Sequence, residues 1–261
     1  MELETYLTAE PIFYGILLIP SAYLTKAHGK SGYVGWGLVT FLCLIHVIGG
    51  AMQQTGTQHA VSILNSCPSI ILLVCCGLWW EAKHHLKSLT YFAKSKAIFI
   101  SLIIIASTVF LAVQIPTLNL RTKFGVAHGC LGIASIAAFL QVTCSMIKQG
   151  FDFRQPTQML LVAAEFGTVF AAIRIFFTIQ VKVRLMHLSH PRGGPFTTTA
   201  ILLFVLVPEA LATLVFVIFG LMTRGIGGGK DEKDGTASDE QDDKQKDNGE
   251  NGDVTYYEES C

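Results

Sequence analysis

The sequence predicts an all-α, polytopic membrane protein. Seven transmembrane helices span residues 1–224, with the N-terminus outside and the C-terminus in the cytosol, and a disordered acidic tail follows over 225–261. Three observations predict it. Of the 261 residues, 51% are hydrophobic, and the mean hydropathy of +0.49 comes from long apolar blocks above the usual soluble range. The zero net charge hides an asymmetry: from Lys230 onward there are twelve acidic and four basic residues, so the tail carries −8 and the body +8. Lys and Arg also fall unevenly between alternate loops.

A membrane helix needs about 20 mainly apolar residues, and seven runs supply them. Span one, 8–25, has Glu10 and Pro11 at its mouth. Glu2 and Glu4 precede it and no Lys or Arg does, so it reads as a retained span and not a signal peptide, which wants a basic start. Span two, 33–53, carries His46, the close-approach pair Gly49-Gly50, and Gln53 near its outer end. Span three, 61–80, begins with the polar stretch Asn65-Ser66-Cys67-Pro68, which breaks or kinks the helix and could line a cavity. It ends in Trp79-Trp80, an interfacial belt, followed by Glu81, which reads as a solvated rim charge beside Lys83, His84 and His85. Span four covers 97–115. Span five, 125–147, opens with Gly125 and Gly129 at GxxxG spacing, a close-packing signal, with His128 beside them. Span six, 159–181, holds Glu165 and Arg174. Span seven, 197–222, holds Pro208-Glu209.

Orientation follows the basic residues. Lys26, Lys30, Lys83, Lys87, Lys94, Lys96, Lys148, Arg154 and Arg224 fall on one side, and Arg121, Lys123, Lys182, Arg184 and Arg192 on the other. The larger set marks the cytosolic face. The tail is too polar and charged to bury a core. Its Val254-Thr-Tyr-Tyr257 patch is either a docking element or plain solvated chain.

Glu165, Glu209 and Arg174 are costly in hydrocarbon unless paired or wetted. Glu165 and Arg174 are nine residues apart, about 13 Å along one helix and on opposite faces, so they cannot pair with each other. Two readings stand: structural ties such as Arg174 with Glu209, or a functional cavity. Pro208 loosens the backbone ladder beside Glu209 and admits polar partners. His46 and His128 each read as a satisfied tie or a site residue. The six cysteines in or beside apolar blocks form no CxxC pair and read as buried small hydrophobes. His187 and His190 form HxxH, a weak metal signal alone. "EESC" is not a CaaX box, no Asn-x-Ser/Thr acceptor exists, and Walker, GxGxxG and HExxH motifs are absent.

The stretches "HGKSGYVGWGLVTFLCLIHVIGGAMQ", "SILNSCPSIILLVCCGLWWEAKHH" and "VPEALATLVFVIFGLM" resemble an uncharacterised family of fungal seven-span membrane proteins. The resemblance covers most of 5–224 and not the tail. The family pattern has Arg where His46 stands here, a departure that weakens a charge-pair role at that position. A looser, architectural likeness is to fungal membrane-bound terpene cyclases. These are thought to protonate an epoxide or alkene with embedded carboxylic acids; no cyclase signature motif is present.

Two function classes follow. The first is an integral membrane enzyme acting on a lipid-soluble, prenylated or terpenoid substrate. A carboxyl group in hydrocarbon stays protonated and can act as general acid, and aromatic faces stabilise a carbocation. Glu165, Glu209 and Arg174 are then the catalytic candidates. His46, Gln53, Asn65, Phe170 and Phe177 are the substrate-binding candidates. Phe166, Phe170, Phe176, Phe177 and Phe204 serve equally as lipid-facing or core residues. The second class is a transporter or receptor-like protein. Neither calls for a metal, a cofactor or nucleic acid. The expected partner besides substrate is the bilayer, in the endoplasmic reticulum, another endomembrane or the plasma membrane.

Overall fold

The computed structural model describes residues 2–55, 63–86, 90–112, 120–149, 154–187 and 202–224. The tail, His190 and the Val254–Tyr257 patch lie outside them, as does the side chain of His187. The chain divides into two units, Met1–Gly229 and Lys230–Cys261; only the first contains described residues.

Each apolar run forms a helix. These are α1 (Glu2–Ala27), α2 (Gly29–Gln54), α3 (Cys67–His85), α4 (Tyr91–Ala112), α5 (Leu120–Gln149), α6 (Pro156–His187) and α7 (Val207–Thr223), the last preceded by a π-helical turn, Leu202–Leu206. Among the described residues, five segments are long and apolar enough to cross a membrane: Gly32–Gln54, Tyr91–Leu111, Thr122–Gln149, Pro156–Gln180 and Phe204–Thr223. The chain is thus a multi-pass membrane protein. Helices α1 and α3 are not among the five; the Glu81–His85 end of α3 lowers its apolar content.

α1 and α2 form an antiparallel hairpin. Gly29 makes the reversal at φ 62°, a left-handed conformation that suits glycine. Along the hairpin Thr25 and Thr40 share a hydrogen bond of 3.0 Å, and a Cβ on Gly50 would sit 3.1 Å from Pro11. Helix α3 runs through the middle, touching α2, α4, α5, α6 and α7; Ile71, Leu72, Val74, Cys75 and Leu78 are fully enclosed. Its tightest crossing is with α2, where a Cβ on Gly77 would lie 2.7 Å from the Gly35 Cα. Only glycine lets two backbones come that close.

The expected close-packing pair in span five behaves differently. Gly125 and Gly129 are exposed, and a Cβ on either would meet nothing within 4 Å. The GxxxG spacing on α5 therefore faces away from the bundle, and the close approach belongs to Gly35 and Gly77 instead.

The outer faces are apolar. Ile12, Ile16, Ile19 and Tyr23 repeat along α1, and Ile133, Ile136, Leu140 and Ile147 along α5, all at least half exposed. Such helical stripes suit lipid. Ser and Thr hydroxyls inside the helices bond carbonyls one turn back, as Ser107 does to Ile103 (2.7 Å) and Ser145 to Gln141 (2.8 Å).

Candidate functional site

Four ionisable side chains from four helices meet in the bundle core. Glu10 enters from α1, His46 from α2, Arg174 from α6 and Glu209 from α7. Each is less than a tenth exposed. His46 Nδ1 lies 2.8 Å from Glu10 Oε1, and its Nε2 faces Glu209 Oε2 at 3.7 Å. Arg174 Nε donates to Glu209 Oε1 at 2.9 Å, and its Nη1 donates to Thr178 one turn along α6. The order is Glu10, His46, Glu209, Arg174: acid and base alternate, which is how buried charge is tolerated.

Local structure aims these groups. Tyr14 follows Glu10 by one turn on α1, so acid and ring share a face; the Tyr14 ring stacks on His46 at 3.8 Å and 6°. The polar stretch ahead of span three is the start of α3: Asn65 and Ser66 form a turn, and Ser66 Oγ donates to the Ile63 carbonyl at 2.6 Å. The helix then begins at Cys67, which places the Cys67 thiol beside His46 and Glu209. On α7, Pro208 has no N–H and crowds the carbonyl four residues back. The π turn Leu202–Leu206 sits where that disturbance falls, and Glu209 follows it.

Arg174 and Glu209 are joined and Glu165 is apart from both. Glu165 is half-buried on the opposite face of α6. Its Oε1 accepts from Thr143 of α5 at 2.6 Å, and its Oε2, shielded from solvent, makes no hydrogen bond. The three acid–base candidates thus do not line one cavity: two are in the four-helix chain, one in the α5–α6 groove. Phe170 is partly buried against the core, and its ring lies 6.3 Å from that of half-exposed Phe166. Phe177 stacks on Phe204 at 5.1 Å. Gln53 and Asn65 are half-buried. An open groove of about 530 Å³ lies at the α1–α2 end, lined by Ala22, Thr25, Lys26, Gly29 and Tyr33; no embedded acid lines it.

A second buried polar cluster replaces the expected rim charge. Glu81 is fully enclosed. Its Oε1 lies 2.7 Å from His28 Nδ1, and its Oε2 accepts from Trp36 Nε1 at 2.9 Å. His28 Nε2 lies 3.1 Å from the Gly220 carbonyl. This ties the α1–α2 turn to α3 and α7. Glu81 looked solvated because Lys83, His84 and His85 follow it, but it points inward at a step where Gly32 leaves room: a Cβ there would meet Glu81 Oε1 at 2.6 Å. Nearby Lys83 has its ammonium pushed below the ordinary lysine range by burial and by Lys148. His128 Nδ1 bonds the Phe124 carbonyl at 3.0 Å. The described cysteines are free.

Sequence reasoning does not single out Tyr14, His28 and Trp36, and it gives Glu10 and Glu81 no part in a buried cluster. The signal for Glu10 was its position: an acid set against an apolar run, with a histidine at matching depth in the next one. No protein-family model, curated protein or solved structure matches the chain.

Proposed function

We propose that the chain is a seven-span protein of an internal membrane, N-terminus outside and tail cytosolic. In this reading it is an enzyme doing acid chemistry on a lipid-soluble, prenylated or terpenoid substrate. α1 and α3 complete the seven spans, since both are integral to the bundle and α3 is its centre. The observation that carries the enzyme reading is Glu165. Arg174 is taken by Glu209, no base among the described residues pairs with Glu165, and one carboxyl oxygen of Glu165 is shielded and unbonded. An acid in that state keeps its proton and can deliver it. The substrate would reach it from the lipid side of the α5–α6 groove, past Phe166 and Phe170, whose faces suit a developing carbocation.

A transport or receptor reading rests on a different observation, the four-helix chain Glu10–His46–Glu209–Arg174, because charge relays through a bilayer use such rows. Co-expression with candidate prenylated substrates, with products followed by mass spectrometry, separates the two. The enzyme reading expects a cyclised product that Glu165→Gln abolishes while the protein still accumulates. A Glu165→Gln variant with full product yield, or no product from wild type across the substrate panel, defeats it.

A further inference from the structure

We infer that His46, Cys67 and Glu209 form a binding site for a transition-metal dication, with zinc(II) the best chemical fit. One ligand atom from each, imidazole nitrogen, thiol sulfur and carboxylate oxygen, lies within 4.8 Å of the other two, and all three residues are buried. A tetrahedral zinc site with bonds of about 2.0–2.3 Å places its ligand atoms roughly 3.4–3.6 Å apart. His46 Nε2 and Glu209 Oε2 already stand at 3.7 Å. With every pair of ligand atoms within 4.8 Å, closing the set to those spacings is within reach of side-chain rotation.

A second observation points to a ligand. His46 Nε2 is enclosed and makes no hydrogen bond, although Glu10 holds Nδ1 and Tyr14 stacks on the ring. Buried polar nitrogens are nearly always satisfied, and this one is aimed at a thiol and a carboxylate. The surroundings are those that metal ligands need. Glu10 holds Nδ1 at 2.8 Å, so the lone pair is directed through Nε2; carboxylate–histidine–metal arrangements work this way. Arg174 holds Glu209 Oε1 and leaves Oε2 free. Tyr14 stacked on the ring fixes its plane.

Charge also balances. Zinc(II) and the Arg174 guanidinium offset Glu10, Glu209 and a Cys67 thiolate, for a net of zero. Metal binding releases the thiol proton to water. Three protein ligands leave a fourth position open, as in zinc sites that activate water or polarise a bound group. This site is independent of Glu165.

The test uses the purified full chain in detergent, stripped with chelator and titrated with zinc or cobalt chloride. One metal per chain is expected, with thiolate-to-cobalt charge-transfer absorption in wild type and in Cys144→Ser but not in Cys67→Ser. Glu10→Gln should weaken zinc affinity 10–100-fold. Wild type lacking that absorption, or taking up well under one metal per chain, overturns the site without reference to any variant. So does absorption that survives Cys67→Ser.

Discussion

Replacing Glu81 by alanine should be among the most damaging single changes in the bundle. Glu81 accepts at both carboxyl oxygens, from His28 at 2.7 Å and Trp36 at 2.9 Å, with no solvent exposure. Alanine strands both donors. A buried donor left unsatisfied costs about 1–3 kcal/mol, so two cost roughly 2–6 kcal/mol. His28 can shed part of this by turning a lone pair inward, which leaves about 3 kcal/mol. For a chain of this size each kcal/mol moves Tm by about 2–4 °C, so the variant should melt roughly 6–12 °C below wild type. Glu81→Gln keeps one acceptor and should fall about half as far. Combining Glu81→Ala with Trp36→Phe removes a donor along with its acceptor, so the double variant should lose less than the summed single losses. Thermal unfolding in one detergent, followed by tryptophan fluorescence and by size-exclusion recovery, measures all of these. A Glu81→Ala protein melting within about 2 °C of wild type would refute the reasoning and return Glu81 to the solvated rim.

Arg174→Leu strands Glu209 in the core and should cost about 3–5 kcal/mol, whereas Arg174→Leu with Glu209→Leu should recover much of it; melting temperatures and yields compare the two. Gly77→Ala forces the α2 and α3 backbones apart and should lose about 1–3 kcal/mol, while Gly129→Ala, with open space at its Cβ, should be neutral or stabilising by the same assay. Protease added to sealed microsomes should clip the tail beyond Gly225 and spare the N-terminus; the reverse pattern would invert the proposed orientation. The chain cut back to residue 230 should still insert, measured by carbonate-resistant membrane recovery, because the bundle buries its own core without the tail.

How much was legible depended on how far a partner lay along the chain. Helices follow from runs of apolar residues, which are local. The Arg174–Glu209 contact was also within reach, since antiparallel neighbours bring mid-span groups to one depth and nothing else in span seven could answer an arginine. Glu81 was misjudged because its sequence neighbours are basic and wet, and its true partners, His28 and Trp36, are 53 and 45 residues away. The glycines make the same point. GxxxG advertises a flat face within one helix but cannot say whether a neighbour uses it. Gly35 and Gly77 sit on different helices, so no spacing rule links them, and only their crossing shows the need for both. His46 falls between these cases: an embedded histidine is conspicuous, but its neighbours come from α1, α3 and α7.

The widened turn at Leu202–Leu206 has a consequence for how the last helix is timed. A π turn holds one residue more than an α turn, and each residue advances an α-helix by 100°. The insertion therefore acts as a phase shift: everything after it is rotated by about a quarter-turn relative to a continuous helix. Glu209 comes three residues later and Gly220 eleven after that, and both are delivered to the inner face, one to His46 and Arg174 and the other to His28 and Trp36. A single-residue deletion within the turn would leave α7 just as apolar and almost as long. One helix carries both clusters' α7 partners, so any rotation of it displaces Glu209 and Gly220 together, and the two clusters, far apart along the helix, share one clock.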